Sequence, residues 1–145
     1  MKISECMSVD VEIAAPTDSV RDVAKLMRRL DIGSLPVGDN DRLVGMITDR
    51  DIVMRAVAEG KGPDTPVREA MSSDIRYCFE DEDVEAVSEQ MGEWKIRRLP
   101  VLNRDKRLVG IISLGDISHS DGADGVMSAQ ALREISEPGG LHSQQ

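Results

Sequence analysis

Aromatic side chains are almost missing from this chain: Tyr77, Phe79 and Trp94 are the only three in 145 residues. That scarcity removes the stacking platforms on which single-stranded nucleic acids are held. Positive charge is in deficit too, with 18 Lys and Arg against 27 Asp and Glu for a net charge of -9. Phosphate backbones are bound by basic stripes, so the composition argues against a nucleic-acid partner. A small anion held by a few placed cations stays compatible, because a local potential can oppose the net charge. Long apolar runs are lacking as well, which excludes a membrane-spanning helix. The N-terminus, Met-Lys-Ile-Ser-Glu-Cys, lacks the basic-then-apolar arrangement of a secretory signal, so a cytoplasmic protein is expected.

Cysteine is scarce: Cys6 and Cys78 occupy non-equivalent places and show no metal-ligand spacing. Two buried thiols are expected in a reducing compartment, with a redox bridge as the alternative and no metal. Catalytic signatures are absent: there is no Gly-rich loop ending in Gly-Lys-Ser/Thr, no Gly-x-Gly-x-x-Gly and no Gly-x-Ser-x-Gly. Only His119 and His142 offer an imidazole, and both lie near or beyond the end of the patterned sequence. An enzyme is not indicated, and no cofactor is required.

What the chain does contain, it contains twice. Leu35-Pro36-Val37 returns as Leu99-Pro100-Val101, and Leu43-Val44-Gly45 as Leu108-Val109-Gly110. The first offset is 64 residues (36 to 100) and the second 65 (45 to 110), so one residue is inserted in the intervening turn. Upstream, Met7-Ser8 matches Met71-Ser72, and Val20, Val23 and Met27 match Val84, Val87 and Met91. Such a repeat denotes two copies of one supersecondary unit. Either half alone would bury too little surface to be stable, so a shared core is expected.

Within each copy the apolar period changes. Val9, Val11 and Ile13 alternate as in a strand. Pro16-Thr17-Asp18-Ser19 punctuates the chain, with Thr17 placed to cap a helix. Val20, Val23, Ala24, Met27 and Leu30 then follow helical spacing, with Arg21, Lys25 and Arg28 outward and Gly33 ending the connection. Two strands flank the turn Gly38-Asp39-Asn40-Asp41. A second helix is expected from Asp49 to about Glu59, with Ile52, Val53, Ala56 and Val57 inward. The predicted class is α+β: two tandem β-α-β-β-α motifs packed with pseudo-twofold symmetry, plus a C-terminal helix. The motifs span 1–59 and 66–119, joined by a linker at 60–65. Residues 120–145 form the helix, through Val126, Ala129, Leu132 and Ile135, and a tail; the helix docks on its own protomer or a neighbour.

The chemistry concentrates in Thr48-x-x-Asp51 and Ser113-x-x-Asp116, each where a strand meets a helix N-terminus. A hydroxyl followed three residues later by an acid is the pattern of a capping box. The same geometry can serve a nucleotide: the helix N-terminus and hydroxyl favour phosphate, and the carboxylate can accept both ribose hydroxyls. The pattern alone leaves both readings open.

Ile32-Gly33-Ser34-Leu35-Pro36-Val37 with Leu43-Val44-Gly45-Met46-Ile47-Thr48-Asp49-Arg50-Asp51-Ile52 resembles a CBS motif, named for cystathionine β-synthase. Arg97-Arg98-Leu99-Pro100-Val101 with Leu108-Val109-Gly110-Ile111-Ile112-Ser113-Leu114-Gly115-Asp116-Ile117 resembles a second. The resemblance covers about residues 1–119. It implies a stand-alone regulatory module with two clefts that works as a homodimer, with an effector protein as a further partner. It also implies adenosine-containing ligands: AMP, ADP or ATP first, with S-adenosylmethionine or NAD as alternatives. On that basis Asp51 and Asp116 take the ribose, and Thr48, Arg50, Ser113 and Arg97 the phosphates. Each cleft would borrow its adenine wall from the opposite copy: Ile96, Arg97 and Asp74 for Asp51, and Ile32, Gly33 and Asp10 for Asp116. Gly115 and Gly33 stand in the second copy's cleft where Arg50 and Arg97 stand in the first, so the Asp51 site is expected to bind a phosphorylated adenosine more tightly. A ligand-free scaffold is the alternative.

Overall fold

A computed structural model of the chain describes residues 1–120 and Ile135. The described residues divide into two units: Glu12–Ile75, and Met1–Val11 together with those from Arg76.

In the Glu12–Ile75 unit, helix α1 (Val20–Leu30) buries Val20, Val23 and Met27 and leaves Arg21, Lys25 and Arg28 exposed. Its N-cap is Ser19, whose hydroxyl accepts the Asp22 N–H at 3.1 Å, rather than the expected Thr17. Asp18 explains the difference. Its carboxylate accepts the Ala15 N–H at 2.9 Å, closing a turn that holds Thr17 outside the helix. At the other end Asp31 takes the left-handed conformation (φ 55°) and caps the helix, two residues before Gly33. Leu30, expected on the inner face, remains 37% exposed.

Strands β1 (Ser34–Asp39) and β2 (Arg42–Thr48) pair antiparallel. Asn40 and Asp41 both have positive φ (53° and 65°), as a two-residue primed hairpin turn requires. Pro36 is tolerated in β1 because the bridge on its open side uses only its carbonyl. The Ala14 N–H donates to Pro36 O at 3.0 Å, and Gly38 N–H donates to Ala14 O at 2.9 Å. The strand expected over Val9–Ile13 shrinks to this one bridge at Ala14. Among the described residues no strand partners 9–13, and Val9 is 71% and Ile13 37% exposed.

Helix α2 (Asp49–Ile52) runs directly into a π-helical turn, Val53–Val57, where Ala58 N–H donates to Val53 O at 2.9 Å. The wider turn breaks the 3.6-residue period, and the expected inner face changes with it. Ala56 is buried and Ile52 half-buried, but Val53 and Val57 point outward, 55% and 66% exposed.

The other unit repeats this plan with β3 (Cys78–Phe79), α3 (Val84–Trp94), β4 (Arg98–Leu102), β5 (Leu108–Ser113) and α4 (Leu114–Ser120). Its sheet has the order β3-β4-β5, with β3 parallel and β5 antiparallel to β4. The inserted residue falls in the β4–β5 turn, where Asn103 N–H donates to Arg107 O and three residues intervene instead of two. Helix α3 ends on Lys95 at φ 58°, as α1 ends on Asp31.

The first eleven residues open the first repeat in the sequence yet pack with the second. Ile3 N–H donates to Glu82 O at 2.9 Å, Val84 N–H to Met1 O at 2.9 Å, and Ser8 and Ile111 exchange two bonds of 2.9 Å. Residues 65–75 do the same for the first repeat. Val67 N–H donates to Asp18 O at 2.8 Å, Val20 N–H to Thr65 O at 2.9 Å, and Met46 and Ser72 exchange bonds of 2.9 and 2.8 Å. Each closing segment delivers a fully buried apolar anchor, Ile3 or Val67, and Ala70 is buried beside Val67 in the second.

Gly45 and Gly110 admit that closing segment. A methyl group on Gly45 would lie 2.7 Å from Met71 Sδ and 2.8 Å from Ser72 O. On Gly110 it would lie 2.6 Å from Met7 Sδ and 2.8 Å from Ser8 O. Of the expected C-terminal helix, Val126, Ala129 and Leu132 lie outside the described residues, as does His142; Ile135 is helical and 9% exposed.

Candidate functional site

Both hydroxyl–acid pairs form complete capping boxes. Thr48 N–H donates to Asp51 Oδ2 at 3.0 Å, and Asp51 N–H donates to Thr48 Oγ1 at 2.9 Å. In the other unit Ser113 N–H donates to Asp116 Oδ2 at 3.1 Å, and Asp116 N–H to Ser113 Oγ at 3.1 Å. The residue just before β1 or β4 braces each box. Asp49 N–H donates to Gly33 O at 3.0 Å, and Leu114 N–H to Arg97 O at 3.0 Å. Gly33 and Arg97 are therefore equivalent positions that anchor the start of a helix through their carbonyls.

The boxes leave part of each acid unused. Asp51 commits Oδ2 to the box, while among the described residues Oδ1 has only the Arg55 Nε at 3.9 Å, and the side chain stays 17% exposed. Asp116 commits Oδ2 alike, and its Oδ1 has no bonded partner among the described residues. A carboxylate fixed through one oxygen keeps the lone pairs of the other to accept hydroxyl groups.

The two ledges differ in charge. Around Asp51 stand Arg50, exposed and without an ion pair among the described residues, and Arg55, whose guanidinium also donates to Met71 O at 3.1 Å. The equivalent positions beside Asp116 are Gly115 and Ser120. Arg55 escaped the sequence reading, although its i,i+4 spacing from Asp51 was the available signal. Asp49 escaped it too: its Oδ1 accepts the Arg50 N–H at 2.8 Å, and a methyl group on Gly33 would lie 3.1 Å from its Oδ2.

Ile32, Gly33, Thr48, Arg50, Asp51 and Asp74 fall in one unit, and Asp10, Ile96, Arg97, Ser113 and Asp116 in the other. Within neither unit are Ile96 and Arg97 brought to Asp51, or Ile32 and Gly33 to Asp116. Asp10, Asp74 and Arg97 are exposed, and Ile32 and Ile96 half-buried. All three aromatic residues belong to the Asp116 unit, so the Asp51 unit offers no aromatic ring to a flat ligand.

A family model for the CBS domain matches the chain twice, at residues 3–58 and 67–121. The chain belongs to the CBS-domain family. Its CBS repeats are 35% identical over 116 residues to the CBS domain-containing protein YhcV of Bacillus subtilis, covering 80% of this chain and 82% of that protein. A solved CBS domain pair of protein MJ0100, in complex with 5-methylthioadenosine and S-adenosyl-L-methionine, matches with a TM-score of 0.69 and 31% identity, covering 84% of this chain and 96% of that one. CBSX2 in complex with AMP matches with a TM-score of 0.74 and 26% identity, over 83% and 95% of the two chains. The chain is thus a tandem CBS module of α+β class.

Among the described residues no helix is long and apolar enough to cross a membrane, and no cluster of three or more His, Cys, Asp or Glu could hold a metal ion. The thiols bear on the redox alternative. Burial, and then the nearby Glu82 and Cys6, push the Cys78 thiol up to about 12. A thiol at that value carries almost no thiolate at neutral pH and is a poor nucleophile. Native protein treated with iodoacetamide at pH 8 is expected to leave Cys78 unmodified, with modification appearing after unfolding in urea. Peptide mass spectrometry reads the result, and rapid native alkylation of Cys78 would contradict this burial.

Proposed function

We propose that this CBS module is a non-catalytic cytoplasmic sensor of adenine nucleotides, AMP, ADP or ATP, that works as a homodimer and signals through an effector protein. Asp51 accepts the ribose hydroxyls, while Thr48 and Arg50 hold phosphate oxygens; Ser113 and Asp116 offer a second, less cationic ledge. The single observation that carries this reading is the Asp51 carboxylate, pinned through Oδ2 while Oδ1 keeps only a 3.9 Å contact with Arg55 Nε among the described residues. The complexes of MJ0100 and CBSX2 with adenosine compounds support it by similarity. Arg97, Ile96 and Asp74 at the Asp51 site, and Ile32, Gly33 and Asp10 at the Asp116 site, rest on the family resemblance.

A second reading, a ligand-free scaffold, is favoured by the completeness of both capping boxes. Thermal shift with AMP, ADP, ATP, S-adenosylmethionine and NAD separates the two. A nucleotide at about 100 times its Kd stabilises the folded state by roughly 2.7 kcal/mol. The largest shift is expected with a phosphorylated adenosine. No shift with any of the five would favour the scaffold.

A further inference from the structure

The exposed faces of α1 and α3 carry opposite charge at equivalent positions. Arg21, Lys25 and Arg29 recur, at the 64-residue offset (21 to 85), as Glu85, Glu89 and Glu93. All six are exposed. The spacing i, i+4, i+8 puts each trio along one stripe, with about 6 Å between successive charges. Helix α1 adds Arg28 and contains one carboxylate, Asp22, whereas α3 has three carboxylates and no cation. Helix α1 is thus net positive in a chain with a net charge of -9.

Internal pairing does not use these charges up. Arg21 reaches Asp64 at 3.0 Å and Arg29 reaches Glu12 at 3.9 Å, both exposed contacts. Lys25, Glu85, Glu89 and Glu93 have no ion pair among the described residues. The basic stripe also borders a groove of about 570 Å³, with Val20, Ala24 and Ala56 in its lining and Arg21, Lys25 and Arg28 alongside. Val57 extends this apolar lining and is 66% exposed. On α3 the exposed Ala86 lies between Glu85 and Glu89, a small residue that permits close approach.

We propose that the basic face of α1 docks on the acidic face of α3 from a second copy of this chain. This rests on the homodimer part of the proposed function and adds its orientation. Antiparallel packing sets Arg21 against the partner's Glu93, Lys25 against the partner's Glu89, and Arg29 against the partner's Glu85. In a two-fold dimer the same contact occurs twice, since the partner's α1 then meets α3 of the first copy. The like-with-like arrangement, α1 on α1 and α3 on α3, would oppose cation to cation and carboxylate to carboxylate, which disfavours it.

Sedimentation equilibrium of the full chain without ligand, at 50 mM and 500 mM salt, tests the orientation. Wild type is expected to be a dimer that weakens with salt. The triple variant R21E/K25E/R29E turns every attractive pair repulsive, and its dimer is expected to weaken roughly 100-fold at low salt. E85K/E89K/E93K should behave alike, and combining all six substitutions should restore the dimer. Circular dichroism of each variant confirms that it is folded. Triple variants that dimerise as wild type does, or a combined variant that stays dissociated while folded, would overturn the orientation while leaving the homodimer standing. A monomeric wild type would overturn both, and neither result touches nucleotide binding.

Discussion

Gly110→Ala is expected to lower the melting temperature by roughly 6–12 °C, taking about 2–4 °C per kcal/mol for a chain of this size. The added methyl would sit 2.8 Å from a backbone oxygen, Ser8 O, and 2.6 Å from Met7 Sδ. The methionine could move; the carbonyl could not without breaking the two bonds that Ser8 exchanges with Ile111. Overpacking costs about 1–3 kcal/mol, and each lost hydrogen bond about 0.5–1.5 kcal/mol, for a loss near 3 kcal/mol. Gly45→Ala should act alike through Met71 and Ser72. Gly62→Ala is the control, because nothing lies within 4 Å of its methyl. Calorimetry reads all three, and an unchanged Gly110→Ala would show that the N-terminal segment does not close this unit.

Asp51→Ala separates binding from capping. Loss of a charged acceptor for ribose costs about 1.5–3 kcal/mol, so the Kd for AMP should rise roughly 10- to 150-fold. The lost half of the capping box removes about 1 kcal/mol of stability. Asp116→Ala should cost similar stability but weaken AMP binding less, since Gly115 and Ser120 supply no cation there. Titration calorimetry with urea unfolding measures both quantities. Lower stability with unchanged affinity would assign Asp51 to capping alone.

The repeat was legible because both copies face the same constraints. Each must turn beside a proline strand, admit a closing segment at Gly45 or Gly110, and start a helix on a hydroxyl–acid pair. Those constraints fix residue types at fixed spacing, so the signature blocks, the turn insertion and both capping boxes could be read directly. What could not be read was which segment completes which unit. Burial of Ile3 and Val67 leaves a pattern, but a pattern records that a residue is inside, not what it packs against. Local competition also escaped: Asp18 closes its own turn and passes the cap from Thr17 to Ser19. The outward Val53 and Val57 follow from a π turn, which a 3.6-residue period cannot represent. At the candidate site the acids and hydroxyls were found, whereas Arg55, one turn beyond Asp51 on the same face, belongs to neither signature block.

The most direct test of nucleotide binding at the Asp51 ledge is an amide NMR titration of the ¹⁵N-labelled chain with AMP. The largest saturable shifts are predicted at Thr48, Asp49, Arg50 and Asp51, with smaller ones at Ser113–Asp116. Saturable shifts confined to other residues, or no shift at millimolar AMP, would contradict it.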